Sequence, residues 1–102
     1  MIKGTTPMHT FGVPSYFDVN GIKSLEITYA QDDNALFVKG LSDCEINGQD
    51  ISTKLTQEET FLFDVEKPVQ IQIRILTIYG DVVSSDIILT MAKKCLDNEV
   101  LQ

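Results

Sequence analysis

Apolar and polar side chains alternate along most of the chain with a period of two, the pattern of strands that bury one face and wet the other. In "SLEITYA", residues 24–30, Leu25, Ile27 and Tyr29 fall on one side and Ser24, Glu26 and Thr28 on the other. "QDDN" then supplies a turn cluster and "ALFV" opens a second strand, so residues 22–39 read as a hairpin. In "CEINGQDIS" the pair Asn47-Gly48 accepts positive φ at little cost and separates two short strand-like pieces, which predicts a further hairpin. Ahead of Leu25, "TTPMHTFGVP" is extended but carries Pro7 and Pro14, which lack ladder donors and suit an edge or a strand end.

The longest alternation is "PVQIQIRILTIYGDVVSSDIILTM", residues 68–91. Val69, Ile71, Ile73 and Ile75 face one way, opposite Gln70, Gln72 and Arg74; on the return, Ile87, Leu89 and Met91 share a face. A two-residue Gly80-Asp81 turn would pair Ile73 with Ile88 and send Ile87 and Leu89 outward. A one-residue shift, from a three-residue Tyr79-Gly80-Asp81 loop or a bulge near "SSD", pairs Ile73 with Ile87 and Ile71 with Leu89. That register keeps the apolar set inside, sets Arg74 across from Asp86, and is the one expected.

"KLTQEETFLF" differs in kind. Thr56 followed by Glu59 has capping-box spacing for one helical turn, which would carry the chain from one sheet to the other; Thr60 has no such role. In the terminal "KKCLDNEVLQ", Leu96 and Val100 lie four apart, so they form either one side of a short tail helix available to a groove or part of a frayed end.

Together these segments predict an all-β fold, a two-layer antiparallel β-sandwich of about seven strands with one short helical turn. The core set is Leu25, Ile27, Tyr29, Leu55, Phe61, Ile71, Ile73, Ile87 and Leu89. A chain of 102 residues with no linker-like run suits one domain, residues 1–95, followed by a tail, residues 96–102.

Charge narrows the partners. Eight basic against fifteen acidic residues give a net charge of −7, which repels phosphate backbones and acidic membranes, so neither nucleic acid nor membrane is expected. The acidic residues are too sparse and discontinuous for a DNA mimic. "MIKGTTPMHTF" has no apolar run behind its lysine and reads as neither secretory signal nor anchor, which points to the cytosol of the producing cell. Cys44 and Cys95 are too few for a disulfide scaffold and read as free thiols.

Candidate chemistry is thin. His9, the single histidine, lies in the presumed edge segment without convergent partners. Asp32-Asp33-Asn34 lacks the twelve-residue calcium loop and reads as a turn. Glu58 and Glu59 are adjacent and do not face each other on a helical turn, so one caps and the other is solvated. No nucleophile elbow, phosphate loop or dinucleotide fingerprint occurs, so no catalytic residue, metal ligand or cofactor is expected. What stands out is apolar surface at the tip of the long hairpin, Ile78, Tyr79, Val82 and Val83, which is either a turn covered by a neighbouring loop or a docking site for another subunit.

"GTTPMHTF", "ITYAQ", "KLTQEETFLF", "VQIQIRILT", "GDVVSSDI" and "CLDNEVL" together resemble a family of small uncharacterised proteins encoded in prophages of Gram-positive bacteria, over nearly the full chain. The resemblance implies an immunoglobulin-like sandwich and a non-enzymatic phage structural role in a tail, baseplate or other virion assembly. Such a protein would act through interfaces with copies of itself or with a larger virion protein. The alternative it leaves open is an accessory protein that binds and inhibits or diverts a host protein. The resemblance brings no catalytic or ligand residue with it.

Overall fold

The alternating segments form strands in the computed structural model, which describes residues 1–102. In chain order these are β1 (Met8–Gly12), β2 (Ile22–Gln31), β3 (Asn34–Gly40), β4 (Cys44–Asn47), β5 (Asp50–Lys54), β6 (Pro68–Thr77), β7 (Val82–Ser84) and β8 (Ile88–Met91), with one helical turn, α1 (Gln57–Phe61). Two antiparallel sheets pack as a sandwich: β1-β5-β4 on one side, and β3-β2-β6 on the other, with β7 and β8 lying end to end along the outer edge of β6. The pattern undercounts the strands by one because the return arm of the long hairpin is broken in two.

Turn chemistry sets the two short hairpins. Asp32 and Asp33 both take positive φ, 51° and 62°, as a type I′ turn between β2 and β3 requires. The β4–β5 turn is centred on Gly48 and Gln49, with Asn47 facing Asp50 across it and only Gly48 at positive φ. That is the II′ requirement, glycine first, and it sits one residue later than an Asn-Gly turn would.

The long hairpin corrects the expected register. Leu76 pairs with Val82, Ile75 with Val83 and Arg74 with Ser84, so the loop is Ile78-Tyr79-Gly80, one residue earlier than expected, closed by the Thr77 amide donating to the Asp81 carbonyl. Gly80 at φ +86 takes the left-handed position that ends such a three-residue loop. Beyond Ser85 the pairing is Ile71 with Ile88 and Gln70 with Leu89, three steps along β6 matched by four along its partner. The extra residue is a bulge: the Ser85 amide donates to the Ile73 carbonyl, while the Ile73 amide donates to the Ser85 hydroxyl instead of a backbone oxygen. Ile73 therefore faces Ser85 rather than Ile87, and Arg74 faces Ser84 rather than Asp86. Ile87 and Leu89 leave the expected core and stand exposed, Leu89 at 63 %. With three consecutive apolar residues at 87–89, the alternation alone does not choose the inner face.

The core is Leu25, Ile27 and Tyr29 of β2 and Val69, Ile71, Ile73 and Ile75 of β6, closed by Ile51, Leu55, Phe63 and Ala92. Phe61 is only half-buried, because α1 ends there and the chain turns Phe63 inward instead. The Phe61 ring lies over Gly4, where a Cβ would fall 2.6 Å from its Cζ.

α1 forms as its cap predicts. The Glu59 amide donates to the Thr56 hydroxyl at 3.1 Å and the Thr56 amide donates to the Glu59 carboxylate at 2.8 Å. Glu59 also pairs with the nearly buried ammonium of Lys39 on β3, while Glu58 is exposed. Thr60 is fully buried, contrary to the minor role its position suggests: its hydroxyl donates toward the Thr5 and Gln57 carbonyls and accepts from the Gly4 amide. Buried Gln31 secures the following loop, its side chain donating to the Asp64 and Lys67 carbonyls and accepting from the Asp64 amide.

Ile27→Ala should lower unfolding stability in urea by about 2 to 5 kcal/mol, as truncation of a buried isoleucine does, whereas Leu89→Ala should change it by less than about 0.5 kcal/mol. Comparable losses from both would restore Leu89 to the core. Thr60→Val keeps the shape but strands the Gly4 amide, and should cost about 1 to 3 kcal/mol, at least as much as the roughly 1 kcal/mol of Thr56→Ala; a neutral Thr60→Val would mean that the hydroxyl network is dispensable.

Candidate interaction surface

The six residues expected to form an interface do not make one patch. Ile78 and Tyr79 occupy the hairpin tip and are exposed, but the tip does not reach beyond the sheet: β2 pairs with β6 through Thr77, and the Ile78 amide donates to the Gly21 carbonyl. The Tyr79 ring edge lies 3.7 Å from where a Gly21 side chain would begin, so the aromatic ring rests on the glycine's bare backbone. Val82 and Val83 point to opposite faces. Val82, paired with Leu76, lies outside in a shallow groove with Ser24 and Arg74, while Val83, paired with buried Ile75, faces the space between the sheets.

The tail is not helical. Lys93 bridges in parallel to Ile2, and farther on the Leu101 amide donates to the Gln57 side chain, which donates back to the Leu101 carbonyl, so the end of the chain is pinned to the first turn of α1. Leu96 and Val100 share no helix face: Leu96 is 94 % exposed and Val100 half-buried.

Two further apolar surfaces lie beyond the tip. The first is the β7–β8 edge, where Val82, Val83, Ile87, Ile88, Leu89 and Met91 are all exposed. The second is a cleft of about 310 Å³ between the sheets, open between β1 and β7 and lined by Phe11, Val13, Phe17, Ile73, Ile75 and Val83 among others. The density of aromatic residues in "TFGVPSYF" is the one signal that could have drawn attention to it. Gln49 holds this segment in place, its side-chain amide donating to the carbonyls of Pro14 and Phe17.

His9 lies on the edge strand β1, but its ring turns inward, half-buried and stacked on Tyr29, with Nδ1 2.8 Å from the Tyr29 hydroxyl. Burial, with help from the charges of Glu59 and Cys44, raises the Tyr29 pKa, so the phenol keeps its proton, and the imidazole tautomer sets which of the two groups donates. Burial, and secondarily the N-terminal ammonium, lowers the His9 pKa. Tyr29 stacks in turn on Phe37, with Phe63 tilted against both, which makes the pair part of the core. Cys44 and Cys95 are free thiols; burial raises the Cys44 pKa, opposite to what a reactive thiolate needs. Asp32 forms an ion pair with Lys67, and Asp33 accepts from Gln70, so these carboxylates serve the turn. No three His, Cys, Asp or Glu side chains converge as a metal site would need.

Compared with family models and with curated proteins, the chain matches none of either.

A histidine whose pKa is lower in the folded chain binds protons more readily when unfolded, so its contribution to stability is whole at neutral pH and lost as pH falls through about 6.5 toward the lowered value. The urea midpoint of the wild type should fall between about pH 7.5 and about pH 5.5, and the fall should be smaller in His9→Asn. Parallel pH profiles would show that His9 titrates alike in both states.

Proposed function

We propose that this chain is a non-enzymatic protein–protein interaction module, a structural component of a phage or prophage particle that acts through the edges of its sandwich. The observation that carries the reading is the β7–β8 edge, where six apolar side chains stand exposed over two short strands and the bulge between them. An apolar edge offers unpaired backbone groups as well as apolar surface, and both suit a protein partner. The partner is either a further copy or a larger virion protein, with the chain cytoplasmic until assembly.

The strand order supports an immunoglobulin-like form of this module. Such sandwiches set strands ABED against CFG, with C′ beside C in the variable type. β1, β5 and β4 correspond to B, E and D, while β3, β2, β6 and the β7–β8 edge correspond to C′, C, F and G. No strand lies outside β1 in the position of A.

Mass spectrometry of purified particles from the producing bacterium should find the chain in fixed stoichiometry with the other particle proteins. Its absence from particles, with synthesis early in infection, would replace this reading with that of an accessory protein directed at a host target.

A further inference from the structure

The seam between the two sheets is closed at one end and open at the other. Beside β8, residues Met1–Lys3 run parallel to the chain at Met91–Lys93: the Lys3 amide donates to the Lys93 carbonyl at 3.0 Å, the Lys93 amide to the Met1 carbonyl at 2.7 Å, and Met1 packs against the core. Here the molecule fills its own seam with extended backbone. Beside β7 no segment does so, and the apolar cleft opens onto Ile73 and Ile75 of the core strand.

Two strand edges flank this opening. In β1 the residues bonded to β5 are the odd-numbered ones, as the Leu55 amide to the Pro7 carbonyl and the Val13 amide to the Gln49 carbonyl establish at either end. The backbone groups of Met8, Thr10 and Gly12 therefore point outward from the sheet edge, in line, with no strand beyond them. On the opposite wall the same alternation, fixed by Thr77 with Asp81 and Ile73 with Ser85, turns the backbone groups of Val82 and Ser84 outward. A cleft walled by apolar side chains and bordered by a ladder of free amides and carbonyls suits an added strand better than a small molecule.

The rim is acidic. The Asp50 carboxylate lies 3.9 Å from where a side chain on the cleft residue Gly12 would begin, no lysine or arginine lines the opening, and the chain as a whole carries a net charge of −7. A second copy docked here would bring a like net charge of −7, whereas a segment with basic flanks would be drawn in.

We propose that the cleft between β1 and β7 receives an extended segment of a partner protein, apolar at alternate positions and flanked by Lys or Arg, which pairs with the free edge of β1 and plugs the seam as an additional strand. This deepens the interaction-module reading and rests on it. The inserted strand would stand where the order of the three-stranded sheet lacks an outer member. Its inward side chains would meet Phe11, Val83 and Ile73, and a basic end would lie near Asp50 beside Gly12.

The test uses the whole chain, isotope-labelled, titrated with a synthetic peptide of sequence Lys-Val-Thr-Val-Thr-Val-Lys and with a second peptide carrying glutamate in place of each lysine. The expected result is saturable binding of the lysine peptide, with amide shifts and slowed hydrogen exchange at Met8, Thr10 and Gly12, and affinity for the glutamate peptide lower by about tenfold or more. Thr10→Pro removes an outward donor from the β1 edge and should weaken binding by a similar factor. Equal binding of both peptides, shifts confined to Ile87–Met91, or concentration-dependent self-association through the β1 amides would each overturn the proposal; because the wild-type amide map decides, a poorly folded variant does not blur the result. If the peptide fails to bind while the chain still co-purifies stoichiometrically with particles, the strand-insertion site falls and the interaction-module reading stands.

Discussion

The inner face of β3-β2-β6 and its β7–β8 edge is one strand wider than the face of β1-β5-β4 that covers it. Most of the other features answer to that mismatch. The hydrophobic interior can only be continuous where both layers overlap, so the fully buried set gathers on β2 and β6, the two central strands of the wider sheet, against Ile51 and Leu55. At the overhang the same sheet keeps its apolar residues but loses its cover. Residues 1–3 partly make good the deficit beside β8 and leave it open beside β7.

Polar contacts at the end of the sandwich fix how the two layers meet around that core. Glu59 caps its own helical turn and neutralises Lys39, whose ammonium would otherwise be almost buried without a counter-charge on the inner face of β3. Placing the pair at the end of the sandwich lets one carboxylate satisfy a backbone donor and a lysine together, which offsets desolvation better than either contact alone. Thr60 and Gln31 extend the arrangement to the N-terminal segment and to the loop that leads into β6, and no buried side-chain polar atom is left without a partner. The single helical turn therefore joins the layers; its own helical propensity contributes little to that.

Much of this was legible in the sequence and some of it was not, for a consistent reason. Period-two patterns identify a strand and its faces wherever polar and apolar residues alternate strictly, as in β2 and β6, and capping-box spacing identifies α1 through a local hydrogen-bond requirement. Ile87, Ile88 and Leu89 offer no alternation, so their faces depend on a bulge in which the Ser85 hydroxyl replaces a carbonyl as acceptor of the Ile73 amide; "SSD" suggests such a bulge but does not fix the register that results. The tail failed for a related reason: Leu96 and Val100 have helical spacing, but the Gln57 side chain ties Leu101 to α1 while the chain between runs irregularly. His9 looked isolated because its partner, Tyr29, is distant in sequence and meets it only when the sheets pack. Of the cleft only the aromatic density of "TFGVPSYF" shows in the sequence, since the opening itself is a property of two sheets of unequal width.

The pairing of Ile2 with Lys93 also bears on how the chain is made. Residues 1–3 find their partners only at 91–93, far along the chain, and β1 waits for β5. Contacts so distant in sequence slow folding, because loop closure must precede the stabilisation they bring. On the ribosome, β2 and β3 can form their hairpin early, but the N-terminal strap has no partner until residue 93 has emerged. During that interval the whole seam is an unsealed apolar edge, so a chaperone or an assembly partner acting co-translationally would meet a wider opening than the one left in the finished fold.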